Sequence, residues 1–506
     1  MSKSFLSSVA GASLLIIGVN IASKGIGFLR EIIFAGSFGL SKDYDLYLLG
    51  TAIPFVLNNA IYYLAQNFFL PLYNQEKRQS GFHESFFLSK NILLFFISGA
   101  GLGALLFLAS QFIGSVSGNN SNGESESIAV VVLRILALSI PVHAVISIAS
   151  AYLQAKYDFK LAIISQVIPN IFVIIFVLAW GGSLGVIAIP LGYLIGSILQ
   201  LTIILFKVKG LLYFRKTSFL KILSSSGTSL GLVVIIELSG QVSVIVDRMF
   251  LSEVDTGGIA ALSYASTIFT LPISVIALAF ATAIFPKLSE LASGHQWSKL
   301  NETFKQAIDI SNFIFIPIAA ILYFFGDVII QLLYQRGKFD QHATLLTASA
   351  LKYYAIGLVF MAGSGIVHKL MLGVGHIKVL SIMMFSTVII KTIGNLVLVP
   401  EMGFQGMALS TSISYIMLFL MPFLYIIYQH RMKLLKQFTV QFLLAVANLV
   451  ISLFITKVVT GFDMTSLSNG LISIISFVFL YTLIGFVIRL SAVSSIVSIM
   501  NGLHSR

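Results

Sequence analysis

Long apolar runs separated by short polar connections fill almost the whole chain. Fourteen are legible, at 6–34, 44–73, 86–114, 128–154, 161–180, 186–206, 218–248, 258–285, 305–333, 343–370, 377–399, 405–428, 439–460 and 467–489. A helix rises about 1.5 Å per residue, so roughly 20 apolar residues cross the ~30 Å hydrocarbon layer. The pattern therefore predicts an all-α polytopic membrane protein with about 14 transmembrane helices. The first run is longer than the apolar stretch of a signal peptide and has no small-residue cleavage site, so it reads as a retained span.

The polar positions inside these runs are the informative ones. Span 2 carries Asn58, Tyr62 and Gln66 in one row, and Asn59, Tyr63 and Asn67 in the next. Residues four apart share a helix face, so the two rows form a wide stripe of amides and phenols. Such groups either hydrogen-bond neighbouring helices or line a cavity that takes sugar hydroxyls. Six of them exceed what packing needs, which favours the cavity. Pro54 should loosen this helix by removing a backbone donor. In span 1, Lys24, Arg30 and Glu31 follow a nearly pure apolar run, and Asp45 opens span 2. Ionisable groups within a bilayer normally face a bundle interior or a water-filled path. Lys24 is too deep to reach the interface easily, and ammonium and guanidinium groups both hold diphosphates. Span 7 contains Glu237, and span 11 aligns Thr387, Lys391 and Asn395. Lys391 and Glu237 form either a structural ion pair or an ion-coupling site titrated during transport. Arg134, Arg248 and Lys352 also sit at span positions without an evident role.

Charge then orients the spans. Of 506 residues 57% are hydrophobic and 10% charged, against roughly 25% in a soluble domain, and the formal net charge is +12. With the N-terminus inside, the expected outer loops hold only Lys42, Arg336, Lys338 and Lys457 among 31 basic residues. The inner loops and both termini take most of the rest. That asymmetry follows the positive-inside rule, so both termini are expected in the cytoplasm, and the basic excess is topology and not a nucleic-acid footprint. Cysteine is absent, which excludes disulfides and thiolate metal sites. The histidines lack metal-ligand spacing, and no nucleotide-binding loop or ATPase-sized domain is present. The chain reads as a transporter, not an enzyme, with no cofactor; its drive would be the membrane potential, H+ or Na+.

Three pairs of short motifs recur in order. Phe69-Leu70-Pro71-Leu72 matches Ile284-Phe285-Pro286-Lys287-Leu288. The connection ending at Lys160 matches the one ending at Lys378, and Gly185-Val186-Ile187-Ala188 matches Gly406-Met407-Ala408-Leu409. Their nearly constant spacing suggests two parallel six-helix lobes, 1–210 and 211–432, with two extra helices in 433–506. Parallel repeats place a substrate path between halves that rock. The last two helices are either anchors or a surface for a long-chain lipid.

These residues resemble the MurJ/MviN family of lipid II flippases, within the multidrug/oligosaccharidyl-lipid/polysaccharide exporter superfamily. The resemblance rests on Ser23-Lys24-Gly25-Ile26-Gly27-Phe28-Leu29-Arg30-Glu31, Phe38-Gly39, Asp45 and Ile53-Pro54. It continues in Leu262-Ser263-Tyr264-Ala265, Leu271-Pro272, Phe285-Pro286-Lys287-Leu288-Ser289 and Leu333-Tyr334-Gln335-Arg336-Gly337-Lys338-Phe339. It implies a V-shaped pair of lobes around a cationic cavity, flipping a polyprenyl-diphosphate-linked glycan to the outer leaflet of the bacterial inner membrane for cell-wall (peptidoglycan) synthesis. Lys24 and Arg30 fall on the family's two span 1 cavity arginines, and Asp45 on its acidic residue. Two departures stand out: Asn58 and Thr267 occupy positions where the family has cavity arginines. The resemblance also implies that spans 7 and 11 can carry cation ligands, which Glu237 and Asn395 would fit and Lys391 would replace.

The expected substrate-binding set is Lys24, Arg30, Asp45, Asn58, Asn59, Tyr62, Tyr63, Gln66 and Thr267, and the ion-coupling set is Glu237, Lys391 and Asn395. Expected partners are the lipid-linked glycan, membrane lipids and envelope-synthesis proteins, with no nucleic acid. The loss of two arginines opens an alternative, an O-antigen or exopolysaccharide repeat-unit flippase. A multidrug cation antiporter is disfavoured, because it wants an acidic cavity and Lys24 and Arg30 are basic. The natural absence of cysteine makes the topology directly testable. Single cysteines replacing Lys42 or Lys457 should react with an impermeant maleimide from outside intact cells, whereas cysteines replacing Lys378 or Lys436 should react only after lysis. The reverse labelling would invert the orientation.

Overall fold

The computed structural model describes residues 9–78, 82–116, 127–156, 158–211, 246–247, 250, 255–430, 435–462, 466–488 and 490–494. Helices dominate, and no strand occurs among the described residues. In hydrocarbon an unpaired N–H or C=O costs several kcal/mol, and only a helix satisfies each from its own segment. Eleven stretches among the described residues are long and apolar enough to cross a membrane. Each covers one expected span except Lys160–Val208, which covers two. The expected first span is a further 30-residue helix, and the expected seventh lies outside the described residues save for Val246 and Asp247 near its end.

The chain divides into two compact units, Met1–Ser252 with Arg336–Phe339, and Glu253–Gln335 with Asp340–Arg506. The first contains α1 (Val9–Phe38), α2 (Lys42–Glu76), α3 (Glu84–Leu108), α4 (Ser110–Val116), α5 (Ile128–Ala137), α6 (Ser139–Ala155), α7 (Phe159–Ile164), α8 (Ile168–Leu184) and α9 (Ala188–Val208). Ser41 caps α2, its hydroxyl accepting from the Tyr44 N–H, and α2 runs unbroken through Pro54. The core of this unit is built where α2, α3 and α6 meet, around Phe69, Tyr73, Phe87, Leu88, Ile148 and Tyr152.

The second unit contains α10 (Gly258–Pro272), α11 (Leu278–Ser293), α12 (Trp297–Phe324), α13 (Gly326–Tyr334), α14 (Gln341–Gly373), α15 (Ile377–Met402), α16 (Phe404–Gln429), α17 (Leu435–Thr460) and α18 (Leu467–Val487). A five-residue π-helical segment, Ile273–Ala277, follows Pro272 and joins α10 to α11. That proline has no N–H to give, so the ladder widens locally. The expected ninth span, 305–333, is two helices, α12 and α13, broken at Phe325. The 33-residue α14 packs against α10, α11, α12 and α16.

One pair of turns has nearly the same geometry. Gly185 between α8 and α9 has φ 57° and ψ −141°, and Gly403 between α15 and α16 has φ 58° and ψ −138°. A positive φ favours glycine because it has no Cβ to clash. These two glycines stand as far apart in sequence as Lys160 and Lys378, so the structural counterpart of Gly185 is Gly403, and the pairing with Gly406 is corrected by three residues.

One end of the first core is tied by charge. Glu84 Oε1 accepts from the Tyr73 hydroxyl (2.5 Å) and the Tyr152 hydroxyl (3.1 Å), and pairs with Lys156 Nζ at 2.5 Å. The bond to Glu84 holds the Lys156 ammonium above its ordinary value. A lysine raised on folding contributes stability that is complete below the ordinary value near 10.4 and is lost as pH rises through the raised one. Glu84→Gln should therefore lower stability by on the order of 1–2 kcal/mol. It should also flatten the alkaline fall of the unfolding temperature, measured in detergent from neutral pH to about pH 11.

Candidate functional site

A cavity of about 440 Å³ opens within the first unit. That size accommodates a sizeable part of a small-molecule ligand. Its walls come from α1, α2, α6, α8, α9 and the short turn Ser165–Val167. Lys24 enters from α1, and Asn58, Asn59, Tyr62 and Tyr63 from α2. His143, Ile146, Ser147 and Ser150 come from α6, Gln166, Pro169 and Asn170 from the turn and α8, and Tyr193 and Gln200 from α9.

Close backbone approach sets this shape. At Gly196 an added Cβ would stand 2.7 Å from Pro169 Cα and 2.9 Å from Phe172 Cβ, and at Gly192 one would stand 2.8 Å from Val173 Cα. Only glycine at both positions lets α9 lie this near α8, which brings Tyr193 and Gln200 opposite Asn170 and Gln166. The near-parallel His143 and Tyr193 rings are stacked, with centroids 5.2 Å apart, and His143 Nε2 lies 3.0 Å from Ser197 Oγ. Gln200 Nε2 donates to Ser165 Oγ at 3.4 Å.

The cationic residues differ in their engagement. Lys24 is exposed, lines the cavity and makes no ion pair among the described residues. Arg30 is committed: Nη1 donates to Asn170 Oδ1 at 2.8 Å, Nη2 to Glu31 Oε1 at 2.6 Å, and the guanidinium lies over the Phe34 ring. Its Nε is buried without a hydrogen-bond partner. Arg30 therefore reaches the cavity through Asn170.

Among the other expected substrate residues, Asn58 is buried and donates to Ser139 Oγ at 3.3 Å, while its Oδ1 is buried without a partner. Tyr62 and Tyr63 meet edge to face with centroids 5.7 Å apart. Gln66 continues the stripe beyond the cavity lining, its Nε2 buried without a partner. Asp45 is buried in the first turn of α2, away from the cavity lining. Thr267 belongs to the second unit, on α10, where its hydroxyl donates to the Ser263 carbonyl. Of the expected ion-coupling residues, Lys391 and Asn395 are buried on α15, and Asn395 Oδ1 accepts from Ser410 on α16. Glu237 and Arg248 lie outside the described residues. Arg134 and Lys352 acquire structural surroundings. Arg134 donates to Ser110 Oγ at 2.9 Å beside Phe107, and Lys352 sits 4.9 Å from the Tyr323 ring centre.

Nine of the fourteen residues lining the cavity were not anticipated, although their signal was present. His143, Ser147 and Ser150 on α6 are four and three apart, as are Tyr193, Ser197 and Gln200 on α9, and Gln166 and Asn170 are four apart. Each is a polar row at helical spacing, the same pattern that marked span 2.

The family model for "Lipid II flippase MurJ" matches residues 34–484. This chain belongs to the MurJ family. It is 28% identical over 453 residues to the probable lipid II flippase MurJ of Borreliella burgdorferi, covering 84% of each chain. It is 25% identical over 424 residues to the lipid II flippase MurJ of Burkholderia cenocepacia, covering 79% of this chain and 80% of that one. A solved structure of lipid II flippase MurJ in an inward closed conformation superposes with a TM-score of 0.80 at 25% identity, over 94% of this chain and 99% of the other. An inward-facing multidrug resistance MATE family transporter of the MOP superfamily shares the fold at 14% identity, with a TM-score of 0.64.

Asn170→Ala should leave Arg30 with Glu31 alone and cost about 1–2 kcal/mol. A thermal-unfolding temperature a few degrees lower in detergent, with insertion unchanged, is the expected result.

Proposed function

We propose that this chain translocates lipid II, a polyprenyl-diphosphate-linked glycan, from the inner to the outer leaflet of the bacterial cytoplasmic membrane. The observation that carries this reading is the cavity of a MurJ-family chain in which Lys24, without an ion pair among the described residues, stands among amides and phenols. The ammonium supplies the charge that a diphosphate needs. Asn58, Asn59, Gln166, Asn170 and Gln200 offer both donors and acceptors to sugar hydroxyls, and the Tyr62 and Tyr63 rings offer apolar faces. Buried amide atoms without partners, such as Asn58 Oδ1, are costly at rest and are satisfied when a polyol arrives.

In this reading both termini are cytoplasmic, and transport draws on the membrane potential or an ion gradient through the buried Lys391 and Asn395 with Glu237. Envelope-synthesis proteins that consume the substrate are its natural neighbours. A second reading has a specific observation behind it. Asn58 and Thr267 stand where the family carries cavity arginines, and a less acidic glycan, such as an O-antigen or exopolysaccharide repeat unit, would need fewer fixed cations.

Complementation separates the two. Rescue of a strain depleted of its lipid II flippase is the expected result, and rescue confined to a strain lacking its O-antigen flippase would transfer the assignment to the second reading. Lys24→Ala should abolish rescue at unchanged membrane levels, and Lys24→Arg should preserve it. Full activity of Lys24→Ala would remove the diphosphate role, and silence of every cavity substitution would point to a scaffold.

A further inference from the structure

The second unit encloses a carboxylate that the proposed transport site does not use. Asp309 lies on α12, within the membrane-spanning stretch Trp297–Phe324, and is 5% exposed. Beside it is a cavity of about 10 Å³, room for one water-sized occupant. Asn312 on α12, Gln441 on α17 and Ser491 in the segment after α18 supply its polar walls.

The hydrogen-bond geometry here is short of one proton. Ser491 Oγ stands 2.5 Å from Asp309 Oδ2 and 3.0 Å from Gln441 Oε1. The Ser491 main-chain N–H also donates to Gln441 Oε1, at 3.5 Å, which turns the amide oxygen towards the serine. A hydroxyl carries a single proton. Were Asp309 ionised, Ser491 would face two acceptors and could satisfy one, leaving two oxygen lone pairs opposed in a low-dielectric site. A proton on Asp309 completes the chain: the acid O–H donates to Ser491 Oγ, and the Ser491 O–H donates to Gln441 Oε1. The 2.5 Å separation is at the short end of O–H···O bonds.

Among the described residues, the charged surroundings do not supply an alternative. Lys305, one turn earlier on α12, acts on the carboxylate from beyond ion-pair distance among the described residues. On α14, His368 is bound to the Leu418 carbonyl and Lys369 lies over the Phe285 ring. On α11, Lys287 pairs with Glu290, and α17 places Lys436 in its exposed first turn.

We propose that Asp309 is a proton-binding site, its bound proton joining α12 to α17 and to the segment that follows α18. The ligand is a proton and not a metal cation, because the site holds one carboxylate and its defect is one missing hydrogen. The inference goes beyond the flippase reading and stands whichever glycan is carried.

Infrared difference spectra of the full-length protein in lipid, taken at neutral pH in H2O and D2O, test it. The wild type should show a carboxylic-acid C=O band that shifts in D2O, is lost in Asp309→Asn and moves in Ser491→Ala, where its acceptor is gone. Asp309→Asn keeps a donor towards Ser491 and should unfold at the wild-type temperature; if it fails to insert, the band shift in Ser491→Ala decides alone. Absence of the band, or its persistence unchanged in both variants, would overturn the proposal. So would stabilisation of the wild type by Na+ over choline that Asp309→Asn lacks, which would make this a metal-cation site.

Discussion

Lipid gives a backbone nothing to hydrogen-bond, and the rest of this structure follows from that constraint. Each crossing segment must be helical, and helices whose side chains are as apolar as the surrounding lipid gain little by associating through hydrophobicity. They gain instead by close contact, which needs small residues. The approach of α9 to α8 at Gly192 and Gly196 is the functional instance, since a Cβ at either would strike the opposite backbone. The same contact determines how far apart Asn170 and Tyr193 stand, and so the width of the cavity. Helix packing and cavity shape are one problem in this unit.

Polar groups in the spans divide by what they meet. Arg134 with Ser110, Lys352 over Tyr323, and Arg30 with Glu31 and Asn170 are matched within the protein and serve its stability. Lys24, Asn58 Oδ1 and Gln66 Nε2 lack such matching. Leaving a buried polar atom unmatched costs on the order of 1–3 kcal/mol, and Asn58 Oδ1 and Gln66 Nε2 are two such atoms on one stripe. Arg30 shows that a charge in the right motif can be absorbed by its own neighbours, reaching the cavity only through an intermediary.

The two units share a construction rule without sharing a cavity sequence. Gly185 and Gly403 turn the chain with nearly identical dihedrals. Beyond that turn the units diverge in chemistry. The first collects amides and phenols around Lys24, whereas the second buries Lys391 and Asn395 on α15 and Asp309 beside α17.

The sequence by itself determined the helical class, nearly all the observed spans and the span 2 stripe, because hydrophobic length and helical periodicity are local properties written in consecutive residues. The MurJ-type motif of span 1 was legible for the same reason. The break at Phe325, the register of the second glycine turn and the pairing of Arg30 with Asn170, 140 positions away, were decided only in three dimensions. The polar rows of α6 and α9 could be read as rows, but nothing local says that they face the span 2 stripe. Which helix faces converge depends on contacts between distant segments, and so does the setting of Asp309, whose partner Ser491 comes from the chain beyond α18 and also bonds Gln441 of α17.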